Sequence, residues 1–165
     1  MDFLNNIKNK KPSYLSNYND LIDRYTLKQG GKRGTSSEEQ KFEQGKFFST
    51  KYEVFMYAII IGLNNNYPLK LHDGAKKDDF WEIKNWQPKE LVDYIIMSIL
   101  AVSDIDLNAL ENMTEDEINF ETLKIRKLME EYANGGFDIL SSKIEENPDF
   151  DNDELCFINL LDSIN

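Results

Sequence analysis

From Tyr52 to Leu63, within the stretch TKYEVFMYAIIIGL (residues 50–63), nearly every position is apolar or aromatic. Drawn as a helix, this run leaves no face for water, and such a helix belongs inside a core. Ser49 and Thr50 offer N-cap oxygens, Thr50 and Glu53 have the spacing of a capping box, and residues 64–66 followed by Pro68 supply a stop. The run is too short to span a bilayer, so it reads as a buried central helix. A second apolar run follows Pro88 and carries Leu91, Val92, Tyr94, Ile95, Ile96, Met97, Ile99, Leu100 and Val102. The two are expected to pack together as the core pair.

The remaining segments are arranged around these two. Residues 1–12 are polar and basic, and Tyr14, Leu15, Tyr18, Leu21, Ile22 and Tyr25 recur with the period of an amphipathic helix over 13–27. Residues 28–40, KQGGKRGTSSEEQ, have the composition of a flexible linker. Short extended segments at 67–71 and 80–86, separated by a turn at residues 72–74, suggest a minor hairpin near 67–86. Thr114 and Glu117 form a second capping-box pattern, opening an amphipathic helix that carries Ile118, Leu123, Ile125, Leu128, Met129 and Tyr132 and is expected to stop at Asn134, Gly135 and Gly136. A short helix over 137–146 and a last one capped by Asp153 would complete the core. The fold expected is all-α: a single-domain bundle of about six or seven helices around two apolar central helices. Residues 1–40 would be a basic, partly flexible N-terminal segment and 41–165 the helical domain.

Charge is distributed unevenly. The chain carries −11 overall, but residues 1–51 hold ten basic against six acidic side chains, whereas residues 104–165 hold four against seventeen. An acidic surface of that size attracts basic partners and repels bare nucleic acid, and the N-terminal segment has the opposite preference. A single cysteine, Cys156, excludes an internal disulfide and fits a reducing compartment, and no secretory leader pattern opens the chain, so the expected location is cytoplasmic.

Several catalytic chemistries find little support. His72 is the only histidine, so no Ser-His-Asp triad or His/Cys zinc cluster can be assembled. Asp104, Asp106, Asn108 and Glu115 fall at positions one, three, five and twelve of an EF-hand loop, but Ala109 stands where the sharp turn needs glycine; capping carboxylates explain the same letters. Asp73, Glu82 and Lys84 have the order used by metal-dependent nucleases, which need adjacent strands to hold them. Gly30, Gly31, Lys32, Arg33 and Gly34 lack the phosphate-loop spacing. Cys156 lies among Leu155, Phe157 and Ile158 and reads as a core residue.

Two stretches together resemble a known family. The run Val54-Phe55-Met56-Tyr57-Ala58-Ile59-Ile60-Ile61-Gly62-Leu63 is similar to its phenylalanine–alanine–glycine helix, and Glu131-Tyr132-Ala133-Asn134-Gly135-Gly136 is similar to its second hallmark. The family is the small Dnd-system-associated protein, number four of that series, encoded beside bacterial DNA phosphorothioation and restriction genes. The resemblance covers about residues 47–150 and implies a setting in anti-phage defence with an accessory role. It brings no catalytic residues and no reaction.

The reading that follows is a non-enzymatic accessory or interaction subunit of a bacterial DNA modification or restriction complex, without cofactor or metal. It would dock to a larger ATPase, nuclease or modification enzyme through an acidic helical face. Asp116, Glu117, Glu121, Glu130 and Glu131 are the candidate partner-binding residues, and Lys28, Lys32 and Arg33 the candidate nucleic-acid contacts. The alternatives are a nucleic-acid-facing factor, binding DNA weakly through the basic arm or mimicking it with acids, and a small metal-dependent nuclease built on Asp73, Glu82 and Lys84.

Overall fold

The computed structural model describes residues 2–28 and 47–163. Six helices lie in them: α1 (Phe3–Lys8), α2 (Asn19–Tyr25), α3 (Lys51–Asn64), α4 (Lys89–Val102), α5 (Glu115–Glu146) and α6 (Cys156–Asp162). Four three-residue strands, β1 (Ser13–Leu15), β2 (Thr26–Lys28), β3 (Phe48–Thr50) and β4 (Lys77–Asp79), make two separate two-stranded pairings. The protein is mostly helical rather than purely all-α.

α3 is the buried centre that its composition requires. Val54, Phe55, Met56, Ala58, Ile59 and Ile61 are fully covered. Its start is capped as expected by the Thr50 hydroxyl, which accepts from the Glu53 amide at 3.4 Å. Glu53 reaches one residue further back than a capping box prescribes, accepting from the Ser49 amide and hydroxyl at 2.8 Å each.

The helix paired with α3 is α5, not α4. The glycines expected to end α5 lie in its interior, and the helix runs for 32 residues, from its Thr114–Glu117 capping box to Glu146. Glycine between two helical segments has two readings, a left-handed cap or a point of close backbone approach, and here the second holds. A Cβ on Gly136 would overlap the Ala58 carbonyl, one on Gly62 the Tyr132 carbonyl, and one on Gly135 the Tyr67 carbonyl. Ala58 and Gly62 on α3 thus face Gly136 and Tyr132 on α5 in reversed order, which makes the pair antiparallel. α4 buries one face through Val92, Ile95, Ile96 and Ile99 and leaves Tyr94, Met97 and Val102 in solvent.

Two further expectations change. Residues 13–27 form no continuous helix but β1, a 3-10 turn (Ser16–Tyr18), α2 and the start of β2. The hairpin near 67–86 does not close on itself, because β4 pairs antiparallel with β1, Ser13 opposite Asp79 and Leu15 opposite Lys77. A short strand finds its hydrogen bonds wherever the core brings an edge, and Tyr14, stacked edge-on against Phe55 and Phe80, anchors β1 there. Ile7, Tyr14, Tyr18 and Ile22 join the same core as α3 and α5.

A second apolar cluster closes the far end of α3. Tyr25, Tyr57, Ile61, Leu140, Phe157 and Leu160 pack together, with Phe48 set edge-on to Tyr57 and Phe157. The Tyr57 hydroxyl donates to the Phe157 carbonyl at 2.7 Å and so ties the C-terminal helix down. Trp86 is wholly interior with its indole N–H on the Trp81 carbonyl, whereas Trp81 itself is partly exposed.

Candidate functional site

The five acids expected to share one docking face do not share it. Asp116 and Glu117 stand exposed in the first turn of α5, where negative charge is favoured by the helix dipole. Glu117 is engaged by the cap: its carboxylate accepts from the Thr114 amide at 2.7 Å and hydroxyl at 2.8 Å, and these bonds hold its pKa below the usual range. Glu121 is half-buried and paired with Lys124 at 2.9 Å. Glu130 faces inward, which is a correction: it is 8% exposed and accepts from the Ser13 amide at 2.8 Å, anchoring β1 to α5. Burial raises its pKa despite that bond and the Arg126 charge. Helical phase does not explain the split, since residues 116 and 130 lie only about 40° apart around an axis turning 100° per residue. Instead, β1 packs over α5 at Glu130 and leaves the first turn of the helix uncovered.

What α5 does expose in its first half is a mixed stripe. Asp116, Phe120 and Leu123 follow one another at helical spacing, with Phe120 62% exposed, and Lys124 lies over the Phe120 ring. A groove of about 410 Å³ runs beside it between α5 and the segment following α4, lined by Val102, Asp104, Glu121, Lys124, Leu128 and Glu131.

The turn of α5 that follows Leu123 has the opposite character. Three of the four basic residues beyond position 103 fall within residues 124–127, KIRK, a single turn of α5. Arg126 and Lys127 meet Lys70 and Lys77 from the loop and β4 in a cleft of about 570 Å³, which Glu130 and Glu131 also line. His72 and Asp73 stand at its edge. Sequence reading passed over this set, although a basic turn within an acidic segment was a usable signal.

The other candidates are dispersed or engaged. The Asp106 carboxylate accepts from the Asn108 amide at 2.9 Å, Asp104 reaches Lys124 at 3.6 Å, and Glu115 opens α5, so the acids of the EF-hand pattern serve turns and helix ends. Among the described residues no group of three or more His, Cys, Asp or Glu side chains could hold a metal. Glu82 and Lys84 pair with each other at 2.7 Å around a 3-10 turn, off any strand, while Asp73 belongs to the basic cleft; the strand framework of a nuclease site is not there. Cys156 is buried and its thiol is pushed up to about 11, which rules against a thiolate nucleophile. Lys32 and Arg33 lie outside the described residues, and Lys28 enters only as the backbone end of β2, paired in parallel with β3. No described helix is long and apolar enough to cross a membrane.

No curated protein and no solved structure matches the chain. A family profile does, over residues 36–162, from ahead of β3 to the end of α6. That span takes in both hallmark stretches, and the packing gives each a physical role: Ala58 and Gly62 on α3 meet the backbone of Gly136 and Tyr132 on α5, while Gly135 meets the Tyr67 carbonyl in the segment after α3. The chain belongs to the family described as DNA sulphur modification system-associated protein 4.

Proposed function

We propose that this protein is a non-enzymatic accessory subunit of a bacterial DNA sulphur modification defence system and docks to a larger protein of that system. The supporting observation is the exposed stripe Asp116, Phe120, Leu123 on the first half of α5. A large aromatic held on a rigid helix in solvent is the usual form of an interface anchor, and acids around it select a basic partner surface. Glu117, Glu121 and Glu131 would contribute to the rim. Membership of the family supports the setting.

The test is co-expression of the full chain with each of the other proteins of the system, followed by co-purification and size-exclusion chromatography. A stable complex weakened by salt and lost in Asp116→Asn/Phe120→Ala is expected. Elution of the chain alone from every pairing, or a complex indifferent to those changes, would overturn the reading.

A further inference from the structure

Some cations of this acidic molecule are matched by carboxylates. Lys8 meets Asp93 at 2.6 Å, Lys51 meets Asp23 at 3.1 Å, Lys84 meets Glu82 at 2.7 Å and Arg24 meets Asp151 at 2.6 Å. Lys70, Lys77 and Lys127, like Lys10, Lys11, Lys76 and Lys89, have no carboxylate at ion-pair distance among the described residues, and these first three line one cleft. Arg126 joins them with its charge only partly answered. Its Nε lies 3.6 Å from Glu130 Oε1, too long for a hydrogen bond, and is buried without an acceptor. The Glu130 oxygen that would complete the pair is already held by the Ser13 amide at 2.8 Å.

Lys70, Lys77, Arg126 and Lys127 outnumber the carboxylates of Asp73, Glu130 and Glu131 on this concavity, and the net positive charge they leave is one that a bound anion answers. We propose that this cleft is an oxyanion site, in which Lys70, Lys77, Arg126 and Lys127 hold the phosphoryl groups of a compact, mononucleotide-sized ligand. The volume of about 570 Å³ is in the range of small-molecule sites. The lining also argues against a long polyanion. Asp73 and Glu131 stand on the same cleft and would repel the flanking phosphates of a duplex, whereas they can accept from the hydroxyl or amino groups of a nucleoside. Arg126 and Lys127 sit on the rigid α5, and Lys77 on β4, so three of the four cations are positioned by hydrogen-bonded elements.

Isothermal titration calorimetry on the full chain at low salt, with pyrophosphate, ATP and a short DNA duplex as separate probes, tests the site. Binding of pyrophosphate or ATP is expected, weakened by salt and reduced about tenfold or more in Lys70→Gln/Lys127→Gln, the size expected for losing charge-assisted hydrogen bonds. ATP binding more tightly than pyrophosphate would identify a nucleotide site; equal affinity would identify a site that reads the phosphates alone. Both lysines are exposed, so the variant is expected to fold, which thermal denaturation checks, and Lys143→Gln, outside the cleft, should bind like the parent. No heat with either small probe, binding unchanged in the double variant, or a duplex preferred over ATP would overturn the proposal. None of these outcomes depends on the docking reading.

Discussion

Gly136 of α5 rests against the carbonyl oxygen of Ala58 in α3, with no room between them for a methyl group. The reciprocal contact of Gly62 with Tyr132 lies one turn away, so two antiparallel helices touch through their backbones at two successive levels. The core is organised by this crossing.

Replacing Gly136 or Gly62 with alanine therefore sets two effects against each other. Helix propensity favours alanine by about 1 kcal/mol, while the clash is with backbone and cannot be relieved by a rotamer change. Overpacking of this kind costs about 1–3 kcal/mol or more. Gly136→Ala is expected to be destabilising by at least about 2 kcal/mol in urea denaturation. A neutral or stabilising result would mean that α3 and α5 do not approach this closely.

The bond between the Glu130 carboxylate and the Ser13 amide predicts a contrast between two substitutions. Glu130→Ala leaves a part-buried N–H without its acceptor and should cost about 1–3 kcal/mol. Glu130→Gln keeps an acceptor oxygen and removes the buried charge. Burial raises the folded-state pKa of Glu130, so the carboxylate form is disfavoured by folding: its contribution is fully present below the unfolded-state pKa and is lost as pH rises through the folded value. Glu130→Gln should accordingly match the parent below roughly pH 4 and equal or exceed it at neutral pH, as read from urea midpoints at both. A variant that is less stable only at neutral pH would reverse the assigned sign.

Tyr57→Phe should release the C-terminal helix. The change removes the donor to the buried Phe157 carbonyl and is expected to cost about 1–2 kcal/mol. Hydrogen exchange should then quicken in α6 more than in α3. Uniform loosening of both helices would show that α6 is not a separable unit.

Phe120 is predicted to matter for association and not for folding. Phe120→Ala exposes no new core and should leave the denaturation midpoint within about 0.5 kcal/mol of the parent. Affinity for the docking partner should fall by about 2 kcal/mol if this ring is the anchor. Surface plasmon resonance beside a melting curve reads both, and a change in the melt without one in binding would assign the ring to the fold.

Much of the helical architecture was legible because its signals are local. The all-round apolarity of residues 52–63 and the Thr114–Glu117 box each lie within a turn or two, and helix formation responds to that range. Asp153, expected to cap the last helix, instead bonds the Leu155 amide in the turn ahead of it. The exposure of the acids was legible only in part. Clustering of acids along the chain says how many there are, whereas the elements that pack over each decide which of them solvent meets; Asp116 is exposed and Glu130 is enclosed beneath β1.

By itself the sequence determined the central helix, the start of α5, the polarity of charge from one end to the other and the family hallmarks. Tertiary structure alone decided that Gly135 and Gly136 continue a helix instead of ending it, that β4 pairs with β1, and that Lys70, Lys77, Arg126 and Lys127 share a cleft. The reason is physical. Apolar periodicity and caps are fixed by neighbours a few residues away, but a glycine, a three-residue strand or a lone lysine takes its role from whatever backbone or charge the packed core brings against it.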